Sequence, residues 1–225
     1  MKVMIDVDGV IFDIHSYIEG LIRDSVDSKY SQHKILTYDL NKSLWSKLTD
    51  AYKGHWYGNK EFGRNIVESI TSLNYIPSED RELIMTAFRE PEVFEMCDVD
   101  ESSISVIKSL LDGGIDIVFH TVSLSKEVKG AKEKRLKEIF KGYEDKYKFC
   151  SCSSIHEKCS DEYDYVVEDC LETLVEFSKV NKNAHLFLVN KSYNSPLIYC
   201  EYEELLTSRI HRVNNTEEAL MYIFG

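Results

Sequence analysis

The 225-residue sequence is short of punctuation: it has three prolines and ten glycines. No repeat and no low-complexity tract breaks it, so it reads as folded rather than as linker. It has no apolar run of 18 residues, which argues against a membrane span. It also lacks a basic segment leading into an apolar one and a small-residue cleavage site. The expectation is a cytoplasmic protein with no membrane partner. Positive charge is outnumbered, with 27 Lys and Arg against 39 Asp and Glu. The formal net charge of −12 argues against a face built for a nucleic-acid polymer, while a local basic pocket for a small anion stays open. Paired C-x-x-C spacing is absent. The six cysteines are Cys97, Cys150, Cys152, Cys159, Cys170 and Cys200. They are better read as reduced thiols packed like small apolar residues than as a zinc site built on Cys150, Cys152 and Cys159. A homodimer is compatible with the sequence.

What is present is alternation. Residues 2–5, 115–120 (IDIVFH), 147–152 (YKFCSC), 164–167 (DYVV) and 184–189 (AHLFLV) are short apolar runs. Between them lie helical patterns. Ile104, Ile107, Leu110 and Leu111 end at Gly113-Gly114, residues 125–141 are rich in Lys and Glu, and further helices fall near 170–180 and 215–224. Strands alternating with helices predict an α/β fold, a Rossmann-like core whose parallel sheet is covered on both faces. The pattern is interrupted once, directly after the first strand. Within residues 14–96 helical spacing recurs, as in Ile14, Tyr17, Ile18 and Leu21, then Phe62, Ile66, Val67 and Ile70, with a loop rich in aromatics and glycine, YKGHWYGN (52–59), between the helices. This segment is predicted to be an all-helical cap inserted into a core formed by residues 1–13 and 97–225.

Ligands of open parallel sheets bind beyond the carboxyl ends of the strands. At those ends the sequence places Asp6-Val7-Asp8-Gly9, then Thr121, then a loop with His156 and Lys158, then Glu168-Asp169. Carboxylates, a hydroxyl and an amine together suit a phosphoryl group held beside a divalent cation. Turn-forming aspartates would explain Asp6 and Asp8 alone, but not Lys158 and Asp169 as well. For Thr121, Ser123 and Ser125 are alternatives. His120 and His156 read as packing or hydrogen-bonding groups, with His156 near enough to Lys158 to meet substrate. Asp13 and Asp164 read as structural carboxylates.

DVDGVIFD, residues 6–13, resembles motif I of the haloacid dehalogenase superfamily. Thr121, Lys158 and Glu168-Asp169 follow in the order of its motifs II, III and IV. The finer resemblance is to the 5′(3′)-deoxyribonucleotidases and their bacterial and phage relatives. It covers most of residues 1–175, and it includes TYDLNKSLW and FREPEVFE in the helical block. The resemblance implies a Mg²⁺-dependent phosphomonoesterase acting on small phosphorylated metabolites, (deoxy)nucleoside monophosphates foremost. Asp6 is then the nucleophile that forms an aspartyl-phosphate, and Asp8 the general acid and base. Asp6, Asp8 through its backbone carbonyl, and Asp169 hold the metal, with Glu168 alongside. Thr121 and Lys158 bind the phosphoryl oxygens, with Lys134, on the helix after motif II, as a rival or second phosphate contact. Tyr38, Trp45, Trp56 and Tyr57 in the cap are candidate platforms for a base, since aromatic faces stack on any base; for each, filling the cap core is the competing role. The same chemistry on a phosphosugar or other small metabolite, or a degenerate phosphate-ligand-binding protein, are the other readings. One departure stands out: Val122-Ser123 follow Thr121 where these nucleotidases commonly have Ser-Pro.

Overall fold

A strand whose two faces are both covered must be apolar at every position, not at alternate ones. Strand β1 (Lys2–Ile5) and the centre of β2 (Asp116–Val122) are of this kind, with Val3, Met4, Ile5, Ile117, Val118 and Phe119 all buried. In the computed structural model, which describes residues 1–14, 17, 90–191 and 208–224, they lie at the centre of a six-stranded sheet. The other strands are β3 (Tyr147–Cys152), β4 (Tyr165–Glu168), β5 (His185–Val189) and β6 (Ile210–Val213). The spatial order is β3-β2-β1-β4-β5-β6, and every pairing is parallel.

Alternate residues of the strands feed two separate cores. Val3, Ile5, Ile117, Phe119 and Val167 pack on one face. They meet α2 (Glu101–Asp112), α3 (Lys126–Ile139) and α6 (Thr216–Phe224) through Ile104, Ile107, Leu136 and Leu220. Met4, Val118, Val166, Leu186 and Leu188 pack on the other face, against Leu171, Leu174 and Phe177 of α5 (Leu171–Val180). The remaining helices are α1 (Pro91–Met96), with proline in its first turn, and α4 (Ile155–Lys158). Local chemistry sets the boundaries. The side chains of Asp100, Ser125 and Ser154 accept from the first turns of α2, α3 and α4. Asp164 accepts from the backbone N–H of Lys2 at 2.7 Å and ties the start of β1 to β4.

The predicted parallel sheet is present, with three differences. Strand β2 runs two residues further than expected, so Thr121 lies within its paired end rather than beyond it. Strand β4 is shifted by one residue and takes in Glu168. Strand β6 was not anticipated: Ile210 and Val213 are buried while His211 and Arg212 are not, an apolar–polar–polar–apolar order that matches neither strand period. Of the predicted cap, Ile14, Tyr17 and residues 90–96 are described. The rest, including Tyr38, Trp45, Trp56 and Tyr57, lies outside the described residues, as does Cys200. Where the chain leaves and re-enters the core its two ends run side by side. Asp13 N–H donates to Asp98 O at 2.9 Å and Asp100 N–H to Ile11 O at 2.9 Å. No helix among the described residues is long and apolar enough to cross a membrane.

Candidate active site

A parallel sheet has one place where helices leave to opposite faces from neighbouring strands, and a crevice opens there. In this order it falls between β1 and β4. The chain leaves β1 as Asp6-Val7-Asp8. Asp6 N–H still donates to Val167 O at 2.9 Å, which extends the ladder by one bond and fixes Asp6 beside the end of β4. The chain then turns. Ile11 and Phe12 N–H both donate to Val7 O, and Gly9 sits at φ 74°, a conformation that strains any side chain.

Asp6, Glu168 and Asp169 are all buried, and each offers a carboxylate oxygen within 4.8 Å of the others. Beside them, Lys158 of α4 is buried. Its Nζ forms ion pairs at 2.7 Å with Asp6 Oδ1 and at 2.7 Å with Glu168 Oε2. Glu168 Oε1 accepts from Cys170 N–H at 3.2 Å. Both oxygens of Glu168 are therefore engaged by this chain's own donors, which makes it the counter-charge of Lys158. Burial would lower the Lys158 pKa, but the two carboxylates outweigh it and raise it, so the amine is an ammonium throughout the ordinary pH range. Burial, reinforced by the charge of Asp6, raises the Glu168 carboxyl well above its usual range.

The second half of the site is built from the other face of the sheet. Lys132 of α3 is buried, and its Nζ donates to Asp8 Oδ2 at 2.5 Å, to Thr121 Oγ1 at 3.0 Å and to Val122 O at 2.8 Å. The Thr121 hydroxyl lies 3.4 Å from Asp8 Oδ2. Asp8 Oδ1 has no hydrogen-bond partner among the described residues. Burial raises the Asp8 pKa, against the lowering charge of Lys132. Asp8 keeps about a third of its side chain exposed (33%), against 8% for Asp6.

The structure thus brings together Asp6, Asp8, Thr121, Lys158, Glu168 and Asp169. It corrects the role given to Lys134, which points outward to Glu95 at 3.2 Å with 63% of its side chain exposed. Two residues along a helix turn the side chain by about 200°. Lys132, not Lys134, shares the inward face of Val128, Ala131 and Leu136. That spacing was visible in the sequence, but the many Lys and Glu of α3 masked it. His120 is buried, and its Nδ1 lies 3.0 Å from Tyr163 Oη. His156 is exposed and lies 3.6 Å from Glu176. The sulfurs of Cys152 and Cys159 donate to Thr121 O and Thr173 O, and Cys150 is a free thiol beside them.

The acidic group fits a divalent cation by its chemistry. The ligand atoms are hard carboxylate oxygens, which magnesium prefers. Four carboxylates (Asp6, Asp8, Glu168, Asp169) face two ammonium groups (Lys132, Lys158). The imbalance is two formal negative charges, the charge of one such ion.

No protein-family model matches the chain, and no curated protein matches it. Among solved structures it is similar to a haloacid dehalogenase-like family hydrolase from Streptococcus pneumoniae, with TM-score 0.57, 10% identity, and coverage of 99% of this chain and 97% of that one. It is similar to a HAD-hydrolase from Bacillus subtilis bound to magnesium, with TM-score 0.53, 13% identity, and coverage of 100% and 98%. It is also similar to a protein described as a β-phosphoglucomutase from Thermotoga maritima, with TM-score 0.51, 15% identity, and coverage of 99% and 98%. The fold is that of the haloacid dehalogenase-like hydrolases.

Proposed function

We propose that the chain is a Mg²⁺-dependent phosphomonoesterase of small phosphorylated metabolites, nucleoside monophosphates foremost. The observation that carries this reading is the convergence of Asp6, Asp8, Thr121, Lys132, Lys158 and Asp169 at the sheet's switch point. Several neighbours of the same fold are hydrolases, and one of them binds magnesium.

Asp6 is the nucleophile. Lys158 fixes its Oδ1 by ion pairing, so the carboxylate presents itself in one orientation at the end of β1. Its oxygen bonds to phosphorus as the ester P–O bond breaks, and water later cleaves the aspartyl-phosphate. Asp6 and Asp169 would hold the Mg²⁺, with Glu168 alongside and the Asp8 backbone carbonyl as the further ligand. The ion supplies charge neutralisation for the approach of two anions. Lys132 and Thr121 bind the phosphoryl oxygens. An arriving oxygen displaces Asp8 Oδ2 from Lys132, which releases the Asp8 carboxyl. Its burial-raised pKa suits a group that must carry a proton to the leaving oxygen and later take one from water. The predicted helical segment 14–96 would cover this site and contact the leaving group, with Tyr38, Trp45, Trp56 and Tyr57 as its candidate aromatic contacts.

The test is a phosphate-release screen over the common nucleoside monophosphates and a set of sugar phosphates, each with Mg²⁺ and with chelator. The expected result is Mg²⁺-dependent release that favours nucleotides and disappears in Asp6→Asn. Equal turnover of sugar phosphates would move the assignment to the wider class. No release from any monoester would make the protein a phosphate-ligand binder instead.

A further inference from the structure

Lys132 is anchored from a direction the reaction scheme does not use. Its ammonium spends its three N–H bonds on Asp8 Oδ2, Thr121 Oγ1 and Val122 O. Two of these acceptors are neutral, and the third, Asp8, must be given up when a phosphoryl oxygen arrives. The remaining side of the ammonium is closed by an aromatic face. The Phe94 ring lies with its centroid 4.6 Å from Lys132 Nζ, and Phe94 is itself buried. A cation held without water gains most from such a face, because the ring's negative quadrupole stands in for lost hydration.

We infer that Phe94 is a positioning residue: its ring face holds the Lys132 ammonium at the phosphoryl site and keeps it there when Asp8 lets go. This inference rests on the proposed phosphoryl chemistry for its effect on rate, though not for the contact itself. Three observations support it together. Phe94 belongs to α1, which packs directly on α3, the helix that carries Lys132. Helix α1 ends where the chain re-enters the core, and Val99, three residues after Met96, pairs with Phe12 in the segment that follows Asp8. The neighbouring lysine, Lys134, meets the same helix through Glu95 but at the surface. Glu95 and Phe94 thus receive two lysines of α3, one outside and one inside, and only the inner one reaches Asp8 and Thr121. The inference extends the machinery to α1: the stretch through which residues 14–90 join the core carries a side chain that fixes a phosphoryl-binding cation. A shift of α1 would therefore register at the phosphoryl site.

The experiment weakens the ring face while keeping its shape. Phe94 is replaced by monofluorinated and trifluorinated phenylalanine in the full chain, with Phe94→Leu as the variant lacking a π face. The kcat/KM for phosphate release is expected to fall in the order phenylalanine, monofluoro, trifluoro, leucine, reaching about tenfold at leucine. A trifluorinated protein as active as the parent overturns the inference. A second arm needs no activity. The thermal midpoint is measured for the parent, the trifluoro variant, Lys132→Met and the combination. Fluorination should lower the midpoint when Lys132 is present and leave it unmoved beside methionine, whereas equal shifts in both backgrounds overturn the inference. If the parent releases no phosphate at all, the proposed function fails while this cycle still decides the contact.

Discussion

The two lysines of the site arrive from opposite faces of the sheet and meet different company. Lys158, on the face of Met4 and Val118, sits between two buried carboxylates, Asp6 and Glu168. Lys132, on the face of Ile5 and Phe119, meets one carboxylate, one hydroxyl and one carbonyl. The carboxylates differ in the same sense, since Asp6 is closed in and Asp8 keeps about a third of its side chain exposed (33%). The first cluster is over-supplied with negative charge and closed to solvent. The second is nearly balanced, and its acid can change partner. The proposed nucleophile would use the first environment and the proposed proton carrier the second, and the chain presents Asp6 and Asp8 two residues apart just beyond β1.

The comparison breaks most sharply at Asp6. Asp6→Asn should abolish phosphate release, by about 10³-fold or more, since the attacking oxygen is lost; steady-state release assays check it. Lys158→Met comes next. It leaves Asp6 and Glu168 buried without their cation, and such a loss costs about 3–5 kcal/mol of stability, measured by denaturant unfolding, with activity falling as well. Lys132→Met should cost about 10²-fold in kcat/KM with a smaller loss of stability, because its partners include neutral groups. Lys134→Met, two positions on, should change stability by under about 0.5 kcal/mol and leave activity alone; equal effects of the two α3 lysines would contradict the inward and outward assignment.

A pH-dependent effect concerns His120, which is buried and feels the charge of Lys158. Burial lowers its pKa below 6.5, and the nearby Lys158 charge adds to this. The unfolded chain then binds the proton more readily than the native one. Native stability is complete above pH 6.5 and declines as pH falls through the lowered value, at no more than about 1.4 kcal/mol per pH unit. His120→Gln should flatten that limb in thermal unfolding between pH 5 and 8.

The four strand ends were legible because parallel strands buried on both faces leave apolar runs of fixed length, and whatever follows them is at the site. That rule pointed to Asp6, Asp8, Thr121, Glu168 and Asp169 and to a loop carrying both His156 and Lys158. The order of the resembled motifs singled out Lys158, and the structure buries Lys158 while leaving His156 exposed. Lys132 was missed, because helix α3 is charged almost all round and its inward stripe is only Val128, Ala131, Lys132 and Leu136. A lysine standing in an apolar stripe was the available signal. Glu168 was placed by sequence beyond its strand and beside the metal. The structure pairs it with Lys158 and puts it in the last position of β4. No sequence period could say that, because the pairing joins the last residue of a short helix to the last residue of the next strand, across the turn between them. Strand β6 escaped because its two buried residues, Ile210 and Val213, face opposite cores with two polar residues between them, which leaves no period-two pattern to detect.

The most direct test of the account is an acid quench of the protein during turnover of a phosphorylated substrate with Mg²⁺, followed by peptide mass analysis. The account predicts one added phosphoryl group on the peptide that contains Asp6, absent in Asp6→Asn and absent with chelator. Phosphate release with no covalent label, or with the label on any other residue, would contradict it.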